Sequence, residues 1–261
     1  MTRALLLGFL VLTPLALATV LWFHPAGSTG GDNIYAGVRE DVDDWLFVHT
    51  GFLLATPLLT LGVYLLLRGL TSTAATVSRV ALVFFLCFYT AYEVTVGLGT
   101  GVLVDYANGL PPSEQAAVAG AIDHYNHNDV LGDPVSVSLV LGFFGWVVAM
   151  LAAAVAFKRA GAGWPVTILV GLSAFVAIHP PPVGPVGLVC FAAAAVLIER
   201  WRARGARANS RPGADVAISP DAIATCPERG RGSDARKAAL ARAIGTPAVA
   251  ICSSTLPPAQ G

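Results

Sequence analysis

Charge is scarce in this chain. Asp, Glu, Lys and Arg make up 12% of its 261 residues, about half of the roughly 25% found in soluble domains. A water-soluble single domain and an intrinsically disordered chain are both excluded by that shortage. Lysine is almost missing, since only Lys158 and Lys237 stand among the 16 basic residues. With abundant Ala, Gly and Val, that points to a GC-rich bacterial genome. The four cysteines form no C-x-x-C pair: Cys87 and Cys190 lie in apolar runs, Cys226 and Cys252 in a polar tail. A disulfide framework and a cysteine zinc site are therefore not expected. There is no H-E-x-x-H, no Walker motif and no Ser-His-Asp order of a rhomboid-like protease. What the chain has instead is apolar length, with 55% hydrophobic residues and a mean hydropathy of +0.68.

A bilayer span takes about 20 mostly apolar residues, within a range of roughly 17–25. Ala4–Phe23, Trp45–Leu67, Val80–Val104 and Val135–Phe157 meet that length, and their only ionisable side chains of note are His49 and Glu93. Two shorter runs come next, Trp164–Ile178 and Val186–Ile198, separated by His179-Pro180-Pro181-Pro182-Val183-Gly184-Pro185. They read as two further spans in preference to a re-entrant hairpin, because the turn residues extend each into the interface. The first run resembles a secretory signal around Ala16-Leu17-Ala18, but its apolar residues continue to Phe23, so it reads as an uncleaved helix. The expectation is an all-α polytopic membrane helix bundle of six transmembrane helices over residues 1–200. Its outer-face loops cover 24–44 and 105–134.

Orientation follows from the basic residues. With the N-terminus cytoplasmic, Arg3, Arg68, Arg79, Lys158, Arg159 and every basic residue from Arg200 onward face the cytoplasm, leaving only Arg39 outside. The outer loops carry acids such as Asp43, Asp44, Asp105 and Asp123. The positive-inside rule then places both termini in the cytoplasm of a bacterial plasma membrane. Basic residues distributed by topology leave nothing for nucleic acid, so the expected partner is the lipid bilayer. Residues 201–261 turn to Arg, Ala, Gly, Ser and Pro without hydrophobic period and read as a largely disordered tail. One short helix is expected there over Ser233–Ile244.

Two features carry candidate chemistry. Glu93 stands midway along the third span, where a carboxylate must face the bundle interior and pair or be protonated. Tyr89, one turn earlier on the same face, is its candidate hydrogen-bond partner, and the two form a candidate proton or ion site. All five histidines fall at outer span ends or in outer loops: His24, His49, His124, His127 and His179. Helical spacing of three puts His124 and His127 on one face of a helix expected over Ser113–His127. His49, His124, His127 and His179 are the candidate metal ligands, since neutral imidazole with nearby carboxylate suits zinc or a similar divalent ion. Histidines can equally sit at the headgroup boundary without a ligand. Past Glu93, Gly97 and Gly101 form a G-x-x-x-G that permits close helix packing.

The pattern resembles a broad group of multi-pass membrane proteins common in high-GC Gram-positive bacteria. The likeness lies in a first helix closing on His24-Pro25, a Trp45-x-x-x-His49 start to the second, and a last pair passing through Pro and Gly. It covers residues 1–200 and implies the fold without an activity. Function is thus expected among three kinds: a membrane protein with an outward-facing cation or proton site, a structural or accessory protein without ligand, and an intramembrane metal- or haem-dependent enzyme. Haem b would need two facing histidines, for which His49 and His179 are the pair.

Overall fold

The computed structural model describes residues 2–25, 33–127 and 136–209. Every regular element among them is helical: α1 (Arg3–Leu21), α2 (Ile34–Val38), α3 (Val42–Leu66), α4 (Thr73–Asn108), α5 (Pro112–Asn126), α6 (Val137–Arg159), α7 (Trp164–Leu172) and α8 (Val183–Asn209). Starts and turns follow local chemistry. The Thr2, Ser72 and Ser136 side chains accept from the backbone N–H groups of Leu5, Ala75 and Leu139, opening α1, α4 and α6. Such caps satisfy donors that a helix start leaves orphaned. Pro112 opens α5, one residue ahead of the expected Ser113, using a fixed φ and a missing N–H that suit a first helical position. Gly69 and Gly161 have φ of 77° and 86° and make the turns after α3 and α6 that side chains with a Cβ resist.

Five helices are long and apolar enough to cross a membrane: α1, α3, α4, α6 and α8. Their outer faces are apolar as well, with Leu12, Leu54, Val83, Phe144 and Val189 all more than half exposed. Such a surface suits hydrocarbon and is rare against water. Inside, Leu10, Phe52, Leu59, Phe85, Trp146, Phe157 and Phe191 form one buried core. Trp146 sends its indole N–H to the Ser173 carbonyl at 2.8 Å. A Cβ at Gly145 would lie 2.6 Å from the Phe85 nitrogen, so this glycine is what lets α6 and α4 touch backbone to backbone.

The fifth expected span is shorter than the others. α7 has nine α-helical residues and continues as a five-residue 3₁₀ stretch, Ser173–Ala177. At rises of about 1.5 and 2.0 Å this covers roughly 23 Å, less than the ~30 Å hydrocarbon core. It nevertheless joins the two ends of the bundle. Trp164 lies beneath the Lys158 ammonium, 4.2 Å from its ring centroid, whereas His179 meets His24 and His49 at the opposite end.

The basic end is tied together by Glu199. Its carboxylate accepts from Arg68 at 2.7 and 2.8 Å and from Arg202 at 2.9 Å, while Arg3 donates to its backbone carbonyl at 2.6 Å. α8 runs on past Arg200 to Asn209, and one compact unit covers Met1–Ser210. The helix outlasts the composition change at residue 200 because Arg and Ala are both strong helix formers. Residues 211–261, with the helix expected over Ser233–Ile244, lie outside the described residues.

At the other end α4 is too long for a bilayer. Its 36 residues would extend about 54 Å as an α-helix, and its last turns pack with α2 and α5. Tyr35, Val38, Trp45, Val104, Ala107 and Ile122 form a second, smaller core there. Asp123 of α5 accepts from the Ile34 N–H at 2.8 Å and from Tyr35 at 3.4 Å, and Thr100 donates to Asn126 at 2.9 Å. The loops expected over 24–44 and 105–134 thus contain a helical cap over the end of the bundle that carries the histidines.

Candidate metal centre

The centre is assembled where three chain segments change conformation at one level. α1 stops at Leu21, and a turn (His24 N–H to Leu21 C=O, 3.1 Å) delivers His24. α7 tightens into its 3₁₀ stretch and ends just ahead of His179 and its prolines. His49 projects from within α3. One nitrogen from each of His24, His49 and His179 lies within 4.8 Å of the others. The rings pack at centroid separations of 4.9 Å for His24–His179, 5.5 Å for His24–His49 and 5.8 Å for His49–His179. Trp45 lies against His49 at 4.3 Å and Phe52 against His179 at 5.6 Å.

In each imidazole Nδ1 faces an oxygen. His49 Nδ1 is 2.7 Å from Glu93 Oε2, His24 Nδ1 is 3.1 Å from the Pro25 carbonyl, and His179 Nδ1 is 3.1 Å from the Tyr89 hydroxyl. The carboxylate and carbonyl contacts favour the Nδ1–H tautomer in His49 and His24 and leave their Nε2 with its lone pair, whereas the Tyr89 hydroxyl serves either tautomer of His179. Nε2 of His24 and of His49 is buried with no hydrogen-bond partner. A buried acceptor left unpaired is uncommon and calls for a ligand or a water. Outer partners on the second ring nitrogen are also how metal-bound histidines are held.

α4 supplies Tyr89 and Glu93 through two wide turns, π-helical segments at Phe85–Tyr89 and Glu93–Gly99. Each wide turn adds about one residue, which rotates the side chains beyond it by roughly 100° around the helix. The Tyr89 hydroxyl consequently pairs with His179, and Glu93, fully buried, pairs with His49. The Tyr89 side chain also reaches the Glu93 carboxylate, its expected partner. Side chains of neighbouring helices hold the carbonyls of the second wide turn: Trp45 donates its indole N–H to Gly97 C=O at 2.6 Å, and Tyr125 its hydroxyl to Thr95 C=O at 3.1 Å.

The G-x-x-x-G faces α3 directly. A Cβ on Gly97 would stand 2.5 Å from His49 Nδ1 and 3.0 Å from Glu93 Oε2, and one on Gly101 would stand 2.5 Å from Leu46. Gly97 is therefore the space in which His49 and Glu93 meet.

Electrostatics keep the two boundary histidines neutral. Burial, and then the neighbouring His49, push His24 down to about 4 against a smaller raising effect of the Pro25 carbonyl. Burial, then His49 and His24, hold His179 well below the usual histidine range. Neutral imidazole is the form that ligates metal.

Of the residues singled out in the sequence, His49, His179, Glu93 and Tyr89 come together here. His124 and His127 stand apart: both are exposed on the cap helix α5, with His127 Nδ1 turned to the Asp123 carbonyl at 2.7 Å. His24, Trp45 and Gly97 complete the centre without having been assigned to it. The signal for His24 was its level, one apolar span from Arg3, shared with His179. By these separations the three rings form a near-equilateral triangle, so the His24 ring stands where a porphyrin held by His49 and His179 would have to extend, and the trio does not fit a haem ligated by that pair. Comparison with known protein families, curated proteins and solved structures finds no match to this chain.

Proposed function

We propose that this chain is an integral membrane protein that binds one divalent transition-metal ion through His24, His49 and His179. The site lies near the outer face of a bacterial plasma membrane, and both termini are cytoplasmic. One observation carries the reading: three imidazoles converge with Nδ1 against an oxygen, and two of their Nε2 atoms are buried and unpaired. In a tetrahedral site with metal–nitrogen bonds of 2.0–2.1 Å, ligand nitrogens stand about 3.3 Å apart. Closing from a spread of at most 4.8 Å takes only small ring movements.

The donor set selects the ion. Three neutral nitrogens with no thiolate suit zinc, copper, nickel or cobalt, whereas calcium and magnesium require oxygen. Glu93, bonded to His49, supplies the compensating negative charge and fixes the tautomer. Tyr89 and the Pro25 carbonyl orient the other two rings. Binding is favoured over conduction, because Leu10, Leu59, Val63 and Phe191 fill the core between the two ends without an ionisable side chain among them. A second reading, metal-dependent hydrolysis at the outer boundary, is favoured by the ligand count. Three protein ligands leave a fourth position for water, as in catalytic zinc sites.

Zinc-edge X-ray absorption on metal-loaded protein in detergent tests the assignment. Three imidazole nitrogens at about 2.0 Å are expected, falling to two or to no bound zinc in His179→Gln. A spectrum dominated by oxygen, or one unchanged in His179→Gln, would sink it.

A further inference from the structure

The end of the bundle opposite the histidines holds two adjoining cavities of about 400 and 390 Å³, with Arg3 and Ala203 in the walls of both. Their charge differs. In the cavity lined by Arg3, Arg68, Glu199 and Arg202 the acid is present, and Arg68 and Arg202 both bond it. The other is lined by Arg3, Leu197, Arg200, Ala203 and Arg204 and contains no acid. Arg3 spends one nitrogen on the Glu199 carbonyl. Among the described residues Arg200 and Arg204 form no hydrogen bond or ion pair, and both are exposed. Positions 197, 200 and 204 of α8 fall on one helix face, so Leu197 provides an apolar floor at the end of the span and two free guanidinium groups stand above it.

We propose that this cavity binds the phosphate group of an anionic phospholipid, with Arg3, Arg200 and Arg204 around the phosphate and an acyl chain along Leu197. Guanidinium presents paired N–H donors that match phosphate oxygens. Basic pockets at the cytoplasmic end of membrane helices receive such headgroups. A half-buried leucine in the wall beside the guanidinium groups favours a phosphate that carries a chain over a free one. The proposal is independent of the metal centre, because it uses other residues at the other end.

The test is native mass spectrometry of the full chain in neutral detergent, titrated with dioleoyl phosphatidylglycerol, with dioleoyl phosphatidylcholine and with inorganic phosphate as the competitor. Wild type should retain phosphatidylglycerol at least tenfold more strongly than phosphatidylcholine. Arg200→Gln/Arg204→Gln should lose most of that preference. Lys158→Gln/Arg159→Gln removes the same charge at the same end outside the cavity, and should keep it. Equal losses in the two double variants would mean bulk charge and overturn the proposal, as would full retention in Arg200→Gln/Arg204→Gln. Displacement of the lipid by inorganic phosphate at matching concentration would overturn the lipid assignment in favour of a free-phosphate site. Unchanged melting of Arg200→Gln/Arg204→Gln is expected, since neither side chain bonds the fold, and it separates lost binding from lost structure.

Discussion

Replacing Gly97 by alanine adds one methyl group to the centre and removes nothing from it. The added Cβ would stand 2.5 Å from His49 Nδ1, 2.8 Å from its Cγ and 3.0 Å from Glu93 Oε2. Ordinary contact begins near 3.4 Å, so the imidazole must retreat by about 1 Å, twice the ~0.5 Å to which a functional constellation is held. Retreat is obstructed by Trp45, packed on His49 at 4.3 Å, and by the His24 and His179 rings. The bond between His49 and Glu93 must then lengthen or break. Loss of an outer partner of a metal-bound histidine lowers affinity by about 10–100-fold, or about 1.4–2.7 kcal/mol. Helix propensity moves the other way, since alanine is the better helix former by up to ~1 kcal/mol. Zinc affinity should therefore fall by 10–100-fold in Gly97→Ala, measured by chelator competition in detergent, with helical content unchanged. Gly8→Ala, where nothing lies within 4 Å of the new methyl, is the matched control. Wild-type affinity in Gly97→Ala would refute the role given to the His49–Glu93 contact.

The same geometry sets three further outcomes. Glu93→Gln keeps the shape of the side chain but removes its charge from His49, so chelator competition should show a tenfold or greater loss of zinc affinity; affinity equal to wild type would contradict it. Acidification tests His24, whose folded-state value of about 4 lies below the 6.5 of an ordinary histidine. The folded protein binds fewer protons than the unfolded chain, so this stabilisation is complete above about pH 6.5 and is lost as pH falls towards 4, by up to ~3 kcal/mol. Metal-free wild type should lose more thermal stability than His24→Gln between pH 7.5 and 4.5, and equal shifts would count against the burial of a neutral imidazole. At the basic end, Glu199→Gln should leave Arg68 and Arg202 without their shared anion and lower stability by about 1–2 kcal/mol, a figure discounted for the exposure of Arg68. A melting temperature within error of wild type would show the ion pairs to be dispensable.

The spans could be read from the sequence because apolar length is a local property. The four long runs begin and end within a few residues of their helices, apart from α4, which starts at Thr73. α7 was harder. Its length depends on a 3₁₀ stretch that carries 14 residues farther than an α-helix would, and hydropathy is insensitive to that. Glu93 and Tyr89 were legible as a polar pair at depth, but their histidine partners were not. Two wide turns between Phe85 and Gly99 decide which helix each residue faces, and no proline marks them. The histidines show the same limit. A spacing of three put His124 and His127 on one face without saying which face turns inward, and the cap instead buries Ile122 and Asn126. His24 and His179 meet only because two unrelated helices stop at the same level.

Metal content is the most direct test of the central claim. Purified protein, stripped and reloaded with zinc in detergent, should hold one ion per chain by elemental analysis. Binding should be lost in His24→Gln, His49→Gln and His179→Gln, and kept in His124→Gln/His127→Gln. No retained zinc in the folded wild type, or retention that ignores the first three substitutions, would contradict the claim that these imidazoles form a metal centre.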